Sequence, residues 1–440
     1  RAVRYIVNST PMIQDQTLTF SILNKNRDAI FQFVTPKSSS CFDEAHLIRN
    51  SIIPPQLLKD YHDVQHRLDP IFDNGQLYFY KQARDELFPK AKRGSLNHAN
   101  RAGDKVEEIF GQTKILQNLR KDFTFADVCA APGSWSLFVL QKFTQSRGVG
   151  MSMPVEGTPL EKTWYPDLYR SERFKITFGE DKTGNVYCSK NMVQFNEDCK
   201  AHFKNLDEQN VDLFMCDGGF EIQKDPQGKH CEHLQEIITS RLLTSEFLFA
   251  MKYISPNGSF VCKMYDSITE FSVQLLFLMY SQCSELIVIK PEHSRVINAE
   301  KYLVFTGFVK NQNIVEKLEQ LYQSWENNCV YDKIIEECDD LANFRKWINQ
   351  LNERLIKRTI GALDMVIKRV SDMAYNEMHF SEQRRLQNAY GGYKSSEQYD
   401  MQFCRNQNRP KNSSYRENFP ENRPYRQSEY QEYGRYQNRK

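Results

Sequence analysis

The sequence predicts an α/β fold built on a mostly parallel sheet with helices on its faces. Three observations carry that prediction. Between about residues 66 and 310, short apolar runs alternate with helical patterns of ten residues or more. One run, "FADVCAAPGSWSLFVL", reads as strand, tight loop and helix in direct succession. Other apolar runs finish on a charged residue, Asp217 after "DLFMC" and Lys263 after "SFVC". The carboxyl ends of parallel strands are where such sheets bind ligands.

Residues 1–65 mix short apolar runs with polar turns such as "TPKSSS" and read as an N-terminal accessory segment. The main domain, 66–386, then proceeds in order. It opens with a helix at "RAGDKVEEIFGQTKILQNL", strand "FTFADV", helix "SLFVLQKF" and strands "GVGMSM" and "VDLFMCD". A long amphipathic helix, "LQEIITSRLLTSEFLFAMKYI", leads through a Pro-Asn-Gly turn to strand "GSFVCKMY". Helix "EFSVQLLFLMYSQC" and strands "SELIVIK" and "AEKYLVFTGF" complete the pattern. Residues 313–386 carry spaced apolar positions and form a helical extension. Beyond Leu386 there is no Leu, Ile or Val, so 387–440 cannot bury a core and is expected to be disordered. Interleaved Arg and Tyr in that tail suit either stacking on RNA bases or simple solubilisation.

Composition narrows the partners. The chain of 440 residues is 40% hydrophobic, enough for a core, and its net charge of +2 confines any nucleic-acid surface to a local patch. Its 11 cysteines form no CxxC pair and lie in apolar runs, the pattern of a reduced intracellular protein. The longest apolar stretch, "FSVQLLFLMY", is too short to cross a bilayer, so no membrane association is expected. The chain starts at Arg1, which reads as a trimmed start.

In the strand–loop–helix, Asp127 and Val128 close the strand, Pro132 and Gly133 turn the backbone, and Trp135 leads a helix whose free N–H groups favour an anion. One glycine does not make a G-x-G-x-x-G fingerprint, so a dinucleotide pyrophosphate fits poorly. The amino-acid carboxylate of a sulfonium cofactor fits better, with an ordinary strand–helix turn as the alternative. The next strand, "GVGMSMP", offers no acid for a ribose before Glu156.

Lys105, Asp217, Lys263 and Glu300 lie on the helix before the first strand or at strand ends. Each alone reads as a cap or a solvent-facing charge. Together they converge on the loop's edge of the sheet as a candidate buried network. Two lysines and two carboxylates suit transfer to a reluctant hydroxyl, in which a lysine of lowered pKa removes the proton. His230, Cys231 and His233 lie close in the chain, but no second ligand pair stands at zinc spacing, so no metal is expected.

The motifs "ADVCAAPGSW", "MCDGGF", "FVCKMYD" and "KPEHSRVINAEKYLVFTGF" resemble the FtsJ-like (RrmJ-type) RNA ribose 2′-O-methyltransferases. "NRAGDKVEE", "HLQEIITSRLL" and "EFSVQLLFLMY" look like the branch that methylates the first nucleotide of eukaryotic mRNA. The resemblance implies a Rossmann-like methyltransferase fold and S-adenosylmethionine as cofactor. It implies Lys105, Asp217, Lys263 and Glu300 as the catalytic tetrad, with Lys263 the proton acceptor. The cofactor set it implies is Asn100, Asp127, Cys129, Ala130, Ala131, Pro132, Gly133, Ser134, Trp135, Asn185, Val186 and Asp217. Arg84, His233, Leu234, Gln235, Arg295 and Asn298 fall where the family touches RNA. Capped mRNA is the implied partner, with other capping enzymes as further partners, in the nucleus or, for a viral protein, the cytoplasm.

Three departures stand out. Ser134 replaces a glycine and is expected to narrow the cofactor pocket; Asn185 stands in place of Asp; "EIQKDPQGKHCEH" lengthens a loop. The alternatives are methylation of the second cap nucleotide, of ribosomal or transfer RNA, or a non-catalytic RNA-binding subunit.

Overall fold

The computed structural model describes residues 17–20, 31–89, 98, 100–113, 115–203 and 211–390. The chain divides into two compact units, residues 1–372 and 373–440. The expected disordered tail lies outside the described residues from 391 onward. Among the described residues the strands are β1 (Thr17–Phe20), β2 (Ser38–Ser40), β3 (Thr124–Val128), β4 (Arg147–Met151) and β5 (Phe174–Thr177). They continue as β6 (Val211–Cys216), β7 (Ile254–Met264), β8 (Glu285–Ile289), β9 (Lys301–Thr306) and β10 (Cys329–Tyr331).

Eight strands form one sheet in the order β1-β8-β9-β7-β6-β3-β4-β5. The run from β7 through β6, β3 and β4 to β5 is parallel, as the alternation of strands and helices predicts. β9 is antiparallel to both β7 and β8, with Lys263 opposite Tyr302 and Met264 opposite Lys301. This reversal matters. Because β9 runs backwards, its first residues lie beside the last residues of β7, and Glu300 enters the sheet next to Lys263.

Both faces of the sheet are covered, so alternate strand residues enter different cores. Leu213, Met215, Val261, Tyr302 and Val304 face the helices Arg101–Thr113 and Ser134–Lys142, packing with Val106, Ile109, Trp135 and Phe138. Phe214, Phe260 and Phe305 face the other side, against helices Ser189–His202, Ser240–Tyr253 and Glu270–Ser281. Lys263 shares the parity of Val261, which directs it to the side holding Lys105.

Several expectations need correction. The Pro-Asn-Gly turn does not precede β7 but lies inside it, where the β6–β7 register shifts and Asn257 takes φ +60°. Asn tolerates that left-handed conformation better than most residues, and its N–H donates to Phe308 O at 2.7 Å. The single helix expected over 234–254 breaks at Thr239, whose hydroxyl donates to Gln235 O at 2.7 Å. The helix from Arg101 stops at Thr113, and Ile115–Asn118 continue as a 3₁₀ turn. β5 and helix Ser189–His202 were absent from the sequence-based pattern.

The described residues among the first 65 are woven into the first unit. β1 adds an antiparallel edge to β8, β2 pairs with β10, and helix Pro55–His66 spans the proposed boundary at residue 65. No helix among the described residues is long and apolar enough to cross a membrane.

Phe260 stacks on Phe305 at 5.9 Å and meets Phe214 and Phe247 edge-on at 6.0 and 5.6 Å. Phe260→Ala is expected to cost about 3–5 kcal/mol in a denaturant titration. A loss under ~1 kcal/mol would mean this face of the sheet is not packed as described.

Candidate active site

Four charged side chains meet where β6 and β7 end and β9 begins. Asp217 follows β6, Lys263 is the penultimate residue of β7, Glu300 precedes β9, and Lys105 reaches in from helix Arg101–Thr113. They pair by charge. Lys105 Nζ lies 2.5 Å from Glu300 Oε1, and Lys263 Nζ lies 3.2 Å from Asp217 Oδ1 while donating to Asp217 O at 2.9 Å. Tyr302 links the pairs, its hydroxyl 3.2 Å from Asp217 Oδ1 and 3.3 Å from Glu300 Oε1. Sequence reasoning missed Tyr302. The signal was its position two residues after Glu300 on one strand, which puts both on the same face.

Burial acts on these groups in opposite directions. It disfavours the Lys263 ammonium, but Asp217, Tyr265 and Glu300 outweigh it and hold that pKa above the ordinary lysine range. Burial would likewise raise Glu300, yet Lys105 and Lys263 hold its carboxyl below the usual value. Lys263 is therefore an ammonium in this arrangement, contrary to the expectation of a lysine lowered toward neutrality. The physical reason is the surrounding carboxylate charge. Gly219 keeps the approach to the amine open, since a Cβ there would come within 2.8 Å of Lys263 Nζ.

The loop after β3 forms a cradle. Cys129 has φ +61°, and Gly133 has φ +95° with no room for a side chain, since a Cβ would lie 2.1 Å from Leu168 Cδ1. Ser134 opens the helix; Ala130 and Trp135 are buried, Ala131 and Cys129 half-buried, and Pro132 is exposed. Asn100 caps helix Arg101–Thr113 through the N–H of Ala102 at 3.0 Å, and its amide donates to Tyr165 at 2.9 Å. Asp127 is fully buried; Ser136 donates to its Oδ2 at 2.6 Å, while Oδ1 has no partner. Burial pushes this carboxyl up to about 7 despite the Ser136 bond. Asn185 turns its own Oδ1 back to the Tyr187 N–H at 2.9 Å, and Val186 is buried with its carbonyl accepting from Tyr322 at 2.9 Å.

The residues expected at RNA separate into two places. Arg84 and Arg295 come together on Asp85, each with a nitrogen 2.9 Å from Oδ1. Asn298 sits nearby in the chain, its Oδ1 accepting from Lys290 at 2.6 Å. His233 and Leu234 are buried, with Gln235 half-buried, in a 3₁₀ turn packed on the N-terminal helices. Burial and the imidazoles of His66 and His62 push His233 down to about 3, so its ring is neutral.

Glu246 lies over Gly218 from helix Ser240–Tyr253, and burial pushes its carboxyl up to about 8 even with Lys263 opposing. Above the ordinary carboxyl range the unfolded chain ionises while the folded chain keeps its proton, so the native state loses stability as pH rises toward 8. Glu246→Gln removes that cost. Its melting temperature relative to the natural chain is expected to rise between about pH 5 and pH 8, then level off. A gap independent of pH would show that Glu246 ionises normally.

Residues 99–308 match the FtsJ-like methyltransferase family. Over 268 residues the chain is 34% identical to the cap-specific mRNA (nucleoside-2′-O-)-methyltransferase 1 of Trypanosoma brucei brucei, spanning 57% of this chain and 68% of that protein. Its Trypanosoma cruzi namesake is 30% identical over 310 residues, 66% of this chain and 81% of that protein. The Drosophila melanogaster protein of the same name is 31% identical over 357 residues, 75% of this chain but 43% of that longer protein. With two relatives aligned over more than two thirds of their length, on a sheet and loop of the expected kind, this chain belongs to the FtsJ-like methyltransferases.

Proposed function

We propose that this chain transfers a methyl group from S-adenosylmethionine to the ribose 2′-hydroxyl of the first transcribed nucleotide of capped mRNA. The observation that carries the reading is the buried set of Lys105, Asp217, Lys263 and Glu300 joined through Tyr302 beside the loop. The cap specificity rests on the relatives' names, and the paired Arg84 and Arg295 offer a place for the RNA backbone. Two guanidiniums sharing one carboxylate keep further N–H donors for RNA phosphates.

The donor set suits the cofactor. Residues Cys129–Trp135 and Asn100 would hold its amino-acid end, Asp217 its ammonium, and Asn185 and Val186 its base. The unpartnered Oδ1 of buried Asp127 marks a carboxylate that a cationic guest would compensate. When bound, S-adenosylmethionine supplies an electrophilic methyl on a positively charged sulfur, which leaves as a neutral thioether.

The chain's own residues manage the proton. Lys263 must be a free amine before it can take a proton from a ribose hydroxyl. Asp217 and Glu300 oppose that, and partial neutralisation of Asp217 by a bound cation weakens their hold. The Asp217 carbonyl at 2.9 Å and carboxylate at 3.2 Å hold the existing N–H groups of Lys263, which leaves its lone pair for the hydroxyl; the proton it takes stays on Lys263 as the third N–H. Lys105 holds Glu300 in place, and Tyr302 keeps both carboxylates in register.

Two expectations follow from this assignment. Lys263→Ala abolishes transfer with cofactor affinity nearly intact, and the natural chain's single-turnover rate rises with pH between about 6 and 9 as the free-amine fraction grows. Near-normal turnover in the variant, or a flat pH profile, would remove Lys263 as the base. Labelled methyl should pass to an N7-methylguanosine-capped RNA, but not to the same RNA uncapped or already methylated on its first ribose. Equal label on uncapped RNA would assign the enzyme to ribosomal or transfer RNA.

A further inference from the structure

Away from the charged quartet, three imidazoles and a carboxylate converge where the N-terminal helices meet the turn Glu232–Leu234. His62 and His66 lie one helical turn apart on Pro55–His66, so they share a face. Glu44 begins helix Glu44–Asn50, and His233 rises from the turn opposite. One ligating atom each from Glu44, His66 and His233 lies within 4.8 Å of the other two. His233 Nε2 is 3.7 Å from Glu44 Oε2, and the His66 and His233 rings meet edge-on at 4.4 Å.

Two features separate this cluster from an ordinary polar contact. The His233 side chain is only 2% exposed, yet its Nε2 has no hydrogen-bond partner. A buried nitrogen of that kind ordinarily finds a donor, a water or a metal. His66 Nδ1 is already engaged by Asp69 Oδ2 at 3.2 Å, which leaves Nε2 as its ligating atom. A carboxylate behind an imidazole is the arrangement that orients histidines toward metals and raises their basicity.

We propose that Glu44, His66 and His233 form a zinc site that ties the N-terminal segment to the turn preceding helix Ser240–Tyr253. Two imidazoles and a carboxylate match the donor preference of zinc. In a tetrahedral site with bonds of about 2.0–2.1 Å the ligating atoms stand roughly 3.3 Å apart, so the present spacing of up to 4.8 Å closes by about 1.5 Å at most. His62 Nδ1, 3.7 Å from Glu44 Oε1, is the next donor within reach for the fourth position. Lys229 now donates to Glu44 Oε2 at 3.1 Å. It is half exposed and returns to solvent when the metal takes that oxygen. The expectation of no metal came from reading His230, Cys231 and His233 as chain neighbours. The fold instead carries His233 to residues more than 160 positions upstream.

The 440-residue chain, stripped with chelator and titrated with zinc ion by calorimetry, is expected to bind one equivalent. Zinc at 100 times its Kd should also raise the melting temperature by about 5 °C. Glu44→Gln and His66→Ala, both at partly exposed positions and checked for folding by circular dichroism, should each weaken binding by about 100-fold. Asp69→Asn should weaken it by about tenfold. Absence of zinc uptake by the folded natural chain, or equal uptake by Glu44→Gln and His66→Ala, would overturn the site.

Discussion

Charge balance in a poorly solvated place is the constraint on which the active edge depends. Lys105, Lys263, Asp217 and Glu300 have side chains only 16, 11, 20 and 14% exposed. Left unpaired, any one of them would be costly to bury. Two positive and two negative groups cancel, and each has an opposite partner within 3.2 Å. Tyr302 then makes one network of two ion pairs. A single substitution there removes more than its own side chain, because it strands a partner. Loss of activity in any of the four therefore needs a binding measurement beside it before a role is assigned.

That network needs a particular sheet. The ends of parallel strands gather Asp217 and Lys263 on one edge, but a further parallel strand would place its first residue on the opposite edge. Only a reversed strand delivers Glu300 at its start. β9 is that strand, held between β7 and β8 by antiparallel ladders. Lys290, just past the end of β8, secures the entry to β9. Its Nζ donates to the carbonyls of Asn298 and Glu300, both at 2.6 Å. Burial pushes this lysine down to about 7, against the pull of Glu300. It acts on the backbone that positions Glu300.

Much of this arrangement was legible in the chain. Strand-length apolar runs and helical spacing gave the architecture, because a sheet covered on both faces writes its burial directly into sequence. Asp217, Lys263 and Glu300 were visible as polar residues at run ends, and the structure brings them together with Lys105. What stayed hidden depended on register or on long-range folding. Tyr302 looked like any strand aromatic until the Lys263–Tyr302 pairing placed it between the carboxylates. The raised Lys263 pKa depends on Asp217 and Glu300, which no local window contains. β5, "FKIT", is too short and too mixed in character to stand out from the loop around it. The burial of His233 was hidden too, because its ring packs against His62 and His66, far upstream in the chain.

The departures from the family pattern also acquire physical content. Ser134 stands in place of a glycine, and its hydroxyl donates to Asn100 Oδ1 at 2.8 Å and lies 3.4 Å from the Tyr165 hydroxyl. The same Asn100 oxygen accepts from the first turn of helix Arg101–Thr113, the helix that carries Lys105. Ser134 thus couples the loop after β3 to the element supplying one arm of the charged quartet. The Trp135 indole already ties the two elements through Ala102 O at 3.1 Å, and the serine adds a second anchor beside it. Asn185 makes a comparable exchange on the far side of the cradle. It gives up the charge of an aspartate yet keeps the turn an aspartate would also make, its Oδ1 accepting from the Tyr187 N–H at 2.9 Å beside Val186.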